Sequence, residues 1–181
     1  SGVMITGRDA AHKWLADTFI HKTRTPAGDD LATFQALQPL LAGGLIYHCG
    51  PVVGGLDTRQ YRFVAAGPTT SIREEPYQGD VMRHFNLKAV IGKGGMAGKT
   101  LAACQEVPAV YLHAIGGAAP LIAATIKRVL TVYKLDFGVP EAIWVIEAEN
   151  FPAVVTMDAH GSSLHEQVRS HSRTVLEGLL A

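Results

Sequence analysis

The chain has 181 residues, enough for one domain with a substantial core. Lysine plus arginine and aspartate plus glutamate number 16 each, so the formal net charge is zero. That excludes any bulk electrostatic case for nucleic acid or an anionic membrane. Apolar residues make up 48% and charged residues 18%, below the ~25% usual in soluble domains, so either the core is large or a partner covers part of the surface.

Val3 to Thr6 reads as a short strand ending in Gly7-Arg8-Asp9. A helix follows from Ala10 to about His21, with Trp14, Leu15 and Phe19 on one side and Asp9 as its expected N-cap. Arg8 and His12 stand four apart at its start. His12 reads as an ordinary polar-face histidine, or as an acid, base or carboxylate ligand beside Arg8. Leu31 to Leu41 is expected to be a short helix broken near Pro39, and Leu45 to His48 a buried strand closed by Gly50-Pro51. Gly54 to Asp57 makes a hairpin-type turn into a strand at Tyr61 to Ala66. Helix over Tyr77 to Phe85, strand over Leu87 to Ile91, helix over Lys99 to Val107 and strand over Ala109 to Ala114 come next.

The apolar stretch from Ala109 to Ile126 approaches the ~18 residues of a membrane span. Gly116-Gly117 and Pro120 interrupt it, so it reads as strand, turn and a helix from about Ala118 to Lys127. Val129 to Asp136 is a strand. Glu141 to Glu149 and Ala153 to Met157 look like a strand pair, and Ser162 to Leu180 an amphipathic helix. The order indicates an α/β fold with a mixed sheet, in a single domain over residues 1–181 with the last helix, about 162–180, as an extension.

Gly67-Pro68-Thr69-Thr70-Ser71-Ile72-Arg73 follows a strand and offers three hydroxyls and a guanidinium. In a helical turn Thr69 and Arg73 share a face, which with free backbone N–H groups makes an anion site. The rival reading is local capping, with Ser71 and Glu74 as a capping box. Gly92 to Thr100 resembles a phosphate-binding loop, but Lys93 stands where the motif needs its first glycine. A lysine held among glycines at a strand end remains. His160, His165 and His171 do not share one helix face and read as solvated, and Asp158 to Gly161 as a turn; no metal site is expected. Cys49 and Cys104 lack CxxC spacing. They form neither a disulfide framework nor a zinc site, and cannot alone hold an iron–sulfur cluster, which usually takes about three or four thiolates. Reduced thiols and no visible leader point to the cytoplasm. Arg8, Arg73 and Lys93, with Thr69, lie at strand–helix junctions. Two arginines and a lysine suit a small dicarboxylate.

Six ordered motifs carry a family resemblance: Thr6 to Lys13, Gly67 to Arg73, Ile91 to Gly94, Gly116 to Ala119, Pro140 to Trp144 and Asp158 to Gly161. Together they resemble the β subunit, or C-terminal domain, of iron–sulfur class I fumarate hydratases and L(+)-tartrate dehydratases, as far as about Leu164. The resemblance implies a swivelling β/β/α fold and an α subunit holding a 4Fe–4S cluster in a hetero-oligomer, αβ or its dimer. The resemblance also implies that one iron of that cluster is open and would act as a Lewis acid on the substrate hydroxyl. It further implies that Arg8, Arg73 and Lys93 bind substrate, that Thr69 is the proposed base, and that His12 is a second candidate for proton transfer. The implied reaction is reversible dehydration of (S)-malate to fumarate, with tartrate dehydration as the close alternative and a non-catalytic dicarboxylate-binding module as the alternative of another class. Neither nucleic acid nor membrane is an expected partner. Glu74 departs from the family, where Met is common, as does Cys49, where Ala is common.

Overall fold

Alternation decides which way each strand of this protein faces. In the computed structural model, which describes residues 1–180, the strands are β1 (Gly2–Thr6), β2 (Leu45–Tyr47), β3 (Val52–Gly54), β4 (Arg62–Ala65), β5 (Ala89–Gly92), β6 (Val110–His113), β7 (Ile126–Tyr133), β8 (Ile143–Ala148) and β9 (Val154–Met157). Met4, Tyr47, Ile91, Trp144 and Ile146 enter one apolar cluster. Their chain neighbours Ile5, Ile46, Val90 and Val145 enter the other. Both faces of the sheet are therefore buried.

One face packs α1 (Asp9–Leu15), α2 (Asp30–Leu41), α3 (Glu75–Phe85) and α4 (Gly98–Glu106), which contribute Trp14, Leu37, Leu41, Met82, Phe85 and Cys104. The opposite face packs the β3–β4 hairpin and α5 (Ala119–Thr125). There Trp144 is wholly buried, with Tyr61 and Phe63 edge-on at 5.2 and 5.9 Å between ring centres. Among the described residues seven strands form one mixed sheet in the order β7-β8-β1-β2-β5-β6-β9. β1, β2, β5 and β6 are mutually parallel, while β8, β7 and β9 join antiparallel.

The mixed sheet agrees with the expectation from sequence, and four local expectations are corrected. β8 and β9 do not pair: β7 and β1 occupy both hydrogen-bonding edges of β8, so β9 takes the free edge of β6 instead. α2 runs through Pro39 to Leu41 without a break. α5 stops at Thr125, and β7 starts at the next residue, Ile126. α1 begins at Asp9 itself, with Arg8 at the cap position, so Asp9 is not a capping side chain. The C-terminal helix α6 (Leu164–Leu180) forms as expected and fully buries none of its side chains in this chain.

A buried polar knot ties α1 and α2 to the loop after β7. Asp30 accepts from Trp14 Nε1 at 2.9 Å and from Ala27 N at 2.9 Å. Lys134 Nζ, almost fully buried, lies 2.6 Å from Asp30 and also pairs with Asp29. Removing one member of such a pair strands the other charge. Asp30→Ala should lower unfolding stability by about 3–5 kcal/mol in urea titration; a loss under about 1 kcal/mol would show that Asp29 alone satisfies the lysine.

Candidate active site

Four parallel strands, β1, β2, β5 and β6, end along one edge of the sheet. In open α/β sheets the carboxyl ends of parallel strands are where ligand crevices form. Here those ends deliver Arg8 and Asp9 after β1, His48 to Gly50 after β2, and Lys93 after β5. The stretch Gly67 to Glu74 lies across this edge. Its backbone is pinned at Thr69 N to His48 O (2.7 Å) and Ser71 N to Lys93 O (3.1 Å). Bridges join Cys49 to Pro68 and Thr70 to Lys93.

This pinning sets Thr69 and Arg73 across the strand ends that carry Arg8 and Lys93. Arg73 Nη2 donates to Thr69 Oγ1 at 2.8 Å, so the pair that stood four apart in sequence meets in space. The same Nη2 lies 3.6 Å from Asp9 Oδ1. Arg8 Nε lies 3.1 Å from Glu141 Oε1, and the backbone N–H of Ala10 donates to Glu141 Oε2 at 3.1 Å. A Cβ on Gly50 would come within 2.5 Å of Arg8 Nη1, so this glycine opens the seat for the guanidinium. Arg73 is exposed, and Arg8, Thr69 and Lys93 are half-buried.

Behind the rim lies a buried polar chain, only one member of which sequence reading nominated. His12 is buried, not on a polar face. Gln78 Oε1 bridges His12 Nε2 at 2.8 Å and His48 Nε2 at 2.7 Å. His48 Nδ1 meets Ser71 Oγ at 2.9 Å, which also receives the Tyr111 hydroxyl at 2.9 Å and the Lys93 N–H at 3.2 Å. Burial lowers the affinity of both rings for a proton, bringing His48 down to about 3. Both histidines are therefore neutral near pH 7. Ser71 and Glu74 do not form a capping box, because Ser71 Oγ is committed to this chain and Glu74 is turned fully inward. A Cβ on Gly92 would sit 1.7 Å from Ser71 Oγ, so only glycine leaves room for the network. Nothing in the sequence marks Gln78, Ser71, His48 or Tyr111 as one unit; a strand end followed by Gly50-Pro51 is the sole hint for His48.

Other candidates resolve differently. The loop before α4 resembles a phosphate site, but a carboxylate of the chain fills it. Glu75 accepts from Ala97 N, Lys99 N and Thr100 N at 2.9, 2.9 and 3.2 Å and from Thr100 Oγ1 at 2.7 Å. A cleft of about 470 Å³ between α4 and α6 is lined by Glu166 and neutral residues, without a cation to receive an anion. His165, expected to be solvated, is half-buried and meets Thr156 Oγ1 at 2.9 Å, while His160 and His171 are exposed. Asp158 Oδ1 accepts from His160 N and Ser162 N, both at 2.9 Å, closing the expected turn. Among the described residues no group of three or more His, Cys, Asp or Glu side chains could hold a metal ion. Cys49 and Cys104 are both buried, free and apart. An iron–sulfur cluster does not fit this chain's own residues. No helix among the described residues is long and apolar enough to cross a membrane.

A seven-stranded mixed sheet with helices on one face, and a hairpin and helix on the other, defines an α/β domain. Residues 1–168 match the family model of the fumarase C-terminus, and the chain belongs to that family. A protein described as a class I fumarate hydratase from Geobacillus stearothermophilus is 49% identical over 172 residues, covering 95% of this chain and 30% of that protein. An L(+)-tartrate dehydratase subunit beta, so described in Methanocaldococcus jannaschii, is 36% identical over 93% of this chain and 80% of its own length. The Escherichia coli L(+)-tartrate dehydratase subunit beta is 31% identical over 91% and 74%. The chain thus spans under a third of the first of these relatives and most of the other two.

Ser71 holds three polar partners at once. Ser71→Ala should cost about 2–4 kcal/mol of unfolding stability, since a buried polar group left unpaired costs about 1–3 kcal/mol. A denaturation midpoint equal to that of the wild type would mean that the three partners re-pair without it.

Proposed function

We propose that this chain is the substrate-closing part of an iron–sulfur hydro-lyase that interconverts (S)-malate and fumarate. The observation that carries the reading is the rim itself: Arg8 and Lys93 at the ends of parallel strands, with Arg73 hydrogen-bonded to Thr69 on the stretch lying across those ends, in a member of the fumarase C-terminus family. The chain folds as a single domain with α6 as an extension. Guanidinium groups bind carboxylates through paired, charge-assisted hydrogen bonds, and a lysine supplies a point charge. In this proposal the three cations hold the carboxylate and hydroxyl groups of a dicarboxylate. Thr69 Oγ, oriented by Arg73, faces the carbon from which a proton is lost. His12, buried and neutral, acts through the hydrogen-bonded chain behind the rim and not by direct contact.

A cluster does not fit these residues, so a 4Fe–4S cluster belongs to an α part, as a separate subunit in an αβ assembly or fused to this one. The α part and the dicarboxylate are the proposed partners. Two free, buried cysteines fit a reducing compartment, and we place the protein in the cytoplasm. The higher identity to the fumarate hydratase favours malate; tartrate, with one more hydroxyl, is the second reading, since two relatives bear that name.

Anaerobic co-expression with a cluster-bearing α part tests the proposal. Malate dehydration, followed by fumarate absorbance, should require both parts and iron. A tight complex that turns over tartrate but not malate would move the substrate to the second reading. Within the active complex, Arg73→Ala and Lys93→Ala should each lower kcat by about 100-fold or more, as loss of a positioned charge at a reacting group does. Their melting temperatures should stay within about 2 °C of wild type, because both side chains reach the rim. Near-normal rates in either variant would remove that residue from the site.

A further inference from the structure

Asp9 and Glu74 bring two carboxyls together behind the rim, and three of their four oxygens are buried without a hydrogen bond. Glu74 is fully buried, and both of its oxygens lack a hydrogen-bond partner among the described residues. Asp9 Oδ1 is also buried without a hydrogen bond, with Arg73 Nη2 3.6 Å away, although the rest of that side chain is exposed. The nearest ring nitrogen to Glu74, His12 Nδ1, is 3.5 Å away and lies closer, at 3.0 Å, to the Arg8 carbonyl oxygen. One proton held between the two carboxyls, borne by one oxygen and accepted by another, satisfies two of these three buried oxygens. We propose that Asp9 and Glu74 share a single proton, and that this proton sets the positive charge the site offers to a dicarboxylate.

The charge balance makes the consequence concrete. The rim cations are Arg8, Arg73 and Lys93, and the carboxyls beside them are Asp9, Glu74 and Glu141. With all three carboxyls ionised, the balance is zero and a dianion gains nothing. With one proton on the pair, one positive charge is in surplus. Burial, reinforced by the hydrogen bond to Asp9, lifts Glu74 to about 9, while that same bond holds Asp9 below its ordinary value. The other groups facing the pair are Arg73 on the same turn, which opposes the lift, Arg8 and neutral His12 on α1, Glu141 ahead of β8, which adds to it, and neutral His48 reached through Gln78. On release the proton goes to solvent past the exposed face of Asp9.

The proposal rests on the dicarboxylate reading only for its second clause, and the two clauses are tested separately on the assembled protein. The proton is read by infrared difference spectroscopy between wild type and Glu74→Gln, with Glu74→Met as a second variant in case the first folds poorly. A protonated-carboxyl band should be present in wild type at pH 7, absent in both variants, and lost in wild type by pH 10. Absence of that band at pH 7 overturns the proposal, whatever the enzyme's activity. Succinate, a dicarboxylate that cannot be dehydrated, is the probe for the charge. Its affinity for wild type should fall about tenfold per pH unit above pH ~9, as expected for one linked proton. Glu74→Gln should bind it with no such fall. A band present with succinate affinity flat from pH 7 to 10 also overturns the proposal. Succinate that fails to bind at any pH contradicts the dicarboxylate reading itself, and with it the charge-setting role.

Discussion

The structure depends on the parallel pairing of β1, β2, β5 and β6. Parallel neighbours point their ends the same way, so residues separated by dozens of positions reach one edge: Arg8 after β1, His48 after β2, Lys93 after β5. The Gly67 to Glu74 stretch then has free backbone groups to bind and takes those of His48 and Lys93. That places Thr69 and Arg73 over the edge and turns Ser71 and Glu74 inward. Burial of both sheet faces holds the edge rigid, since the helices on one side and the hairpin with α5 on the other leave the strands no freedom to slide.

Two kinds of polar group share this edge, and their roles divide by burial. The rim groups keep solvent contact. The inner groups are taken out of water, where charge is costly, and respond by becoming neutral. Burial lowers the proton affinity of His12 and His48 and raises that of Glu74. A neutral inner layer lets the rim cations act outward instead of being cancelled from behind.

Much of this was legible in the sequence, for identifiable reasons. Each long apolar run became an element because it alternated or repeated at helical spacing, and the glycine–proline stops at Gly50-Pro51 and Gly67-Pro68 fell at real strand ends. Thr69 and Arg73 were legible as a pair because they are local. What could not be read depends on residues distant in sequence. The pairing of β9 with β6 instead of β8 is decided by which edges are already taken, a property of the whole sheet. Gln78, Ser71, His48 and Tyr111 form one chain across the end of β2, the strand β6, the Gly67 to Glu74 stretch and α3, without a spacing that announces it. His12 looked like a surface histidine because its helix start is polar; the close approach of α3 buries it. Asp9 and Glu74 looked like helix-end residues, and the fold makes them neighbours.

The proposed anion site at the strand ends is tested most directly by the structure of the assembled protein with a bound four-carbon dicarboxylate. The expected result is one carboxylate on Arg73 and the other within reach of Arg8 or Lys93, with Thr69 Oγ beside the carbon chain and Gln78 still bridging its two histidines. A dicarboxylate bound elsewhere, with the Arg8 and Arg73 guanidiniums still held only by Glu141, Asp9 and Thr69, would contradict it.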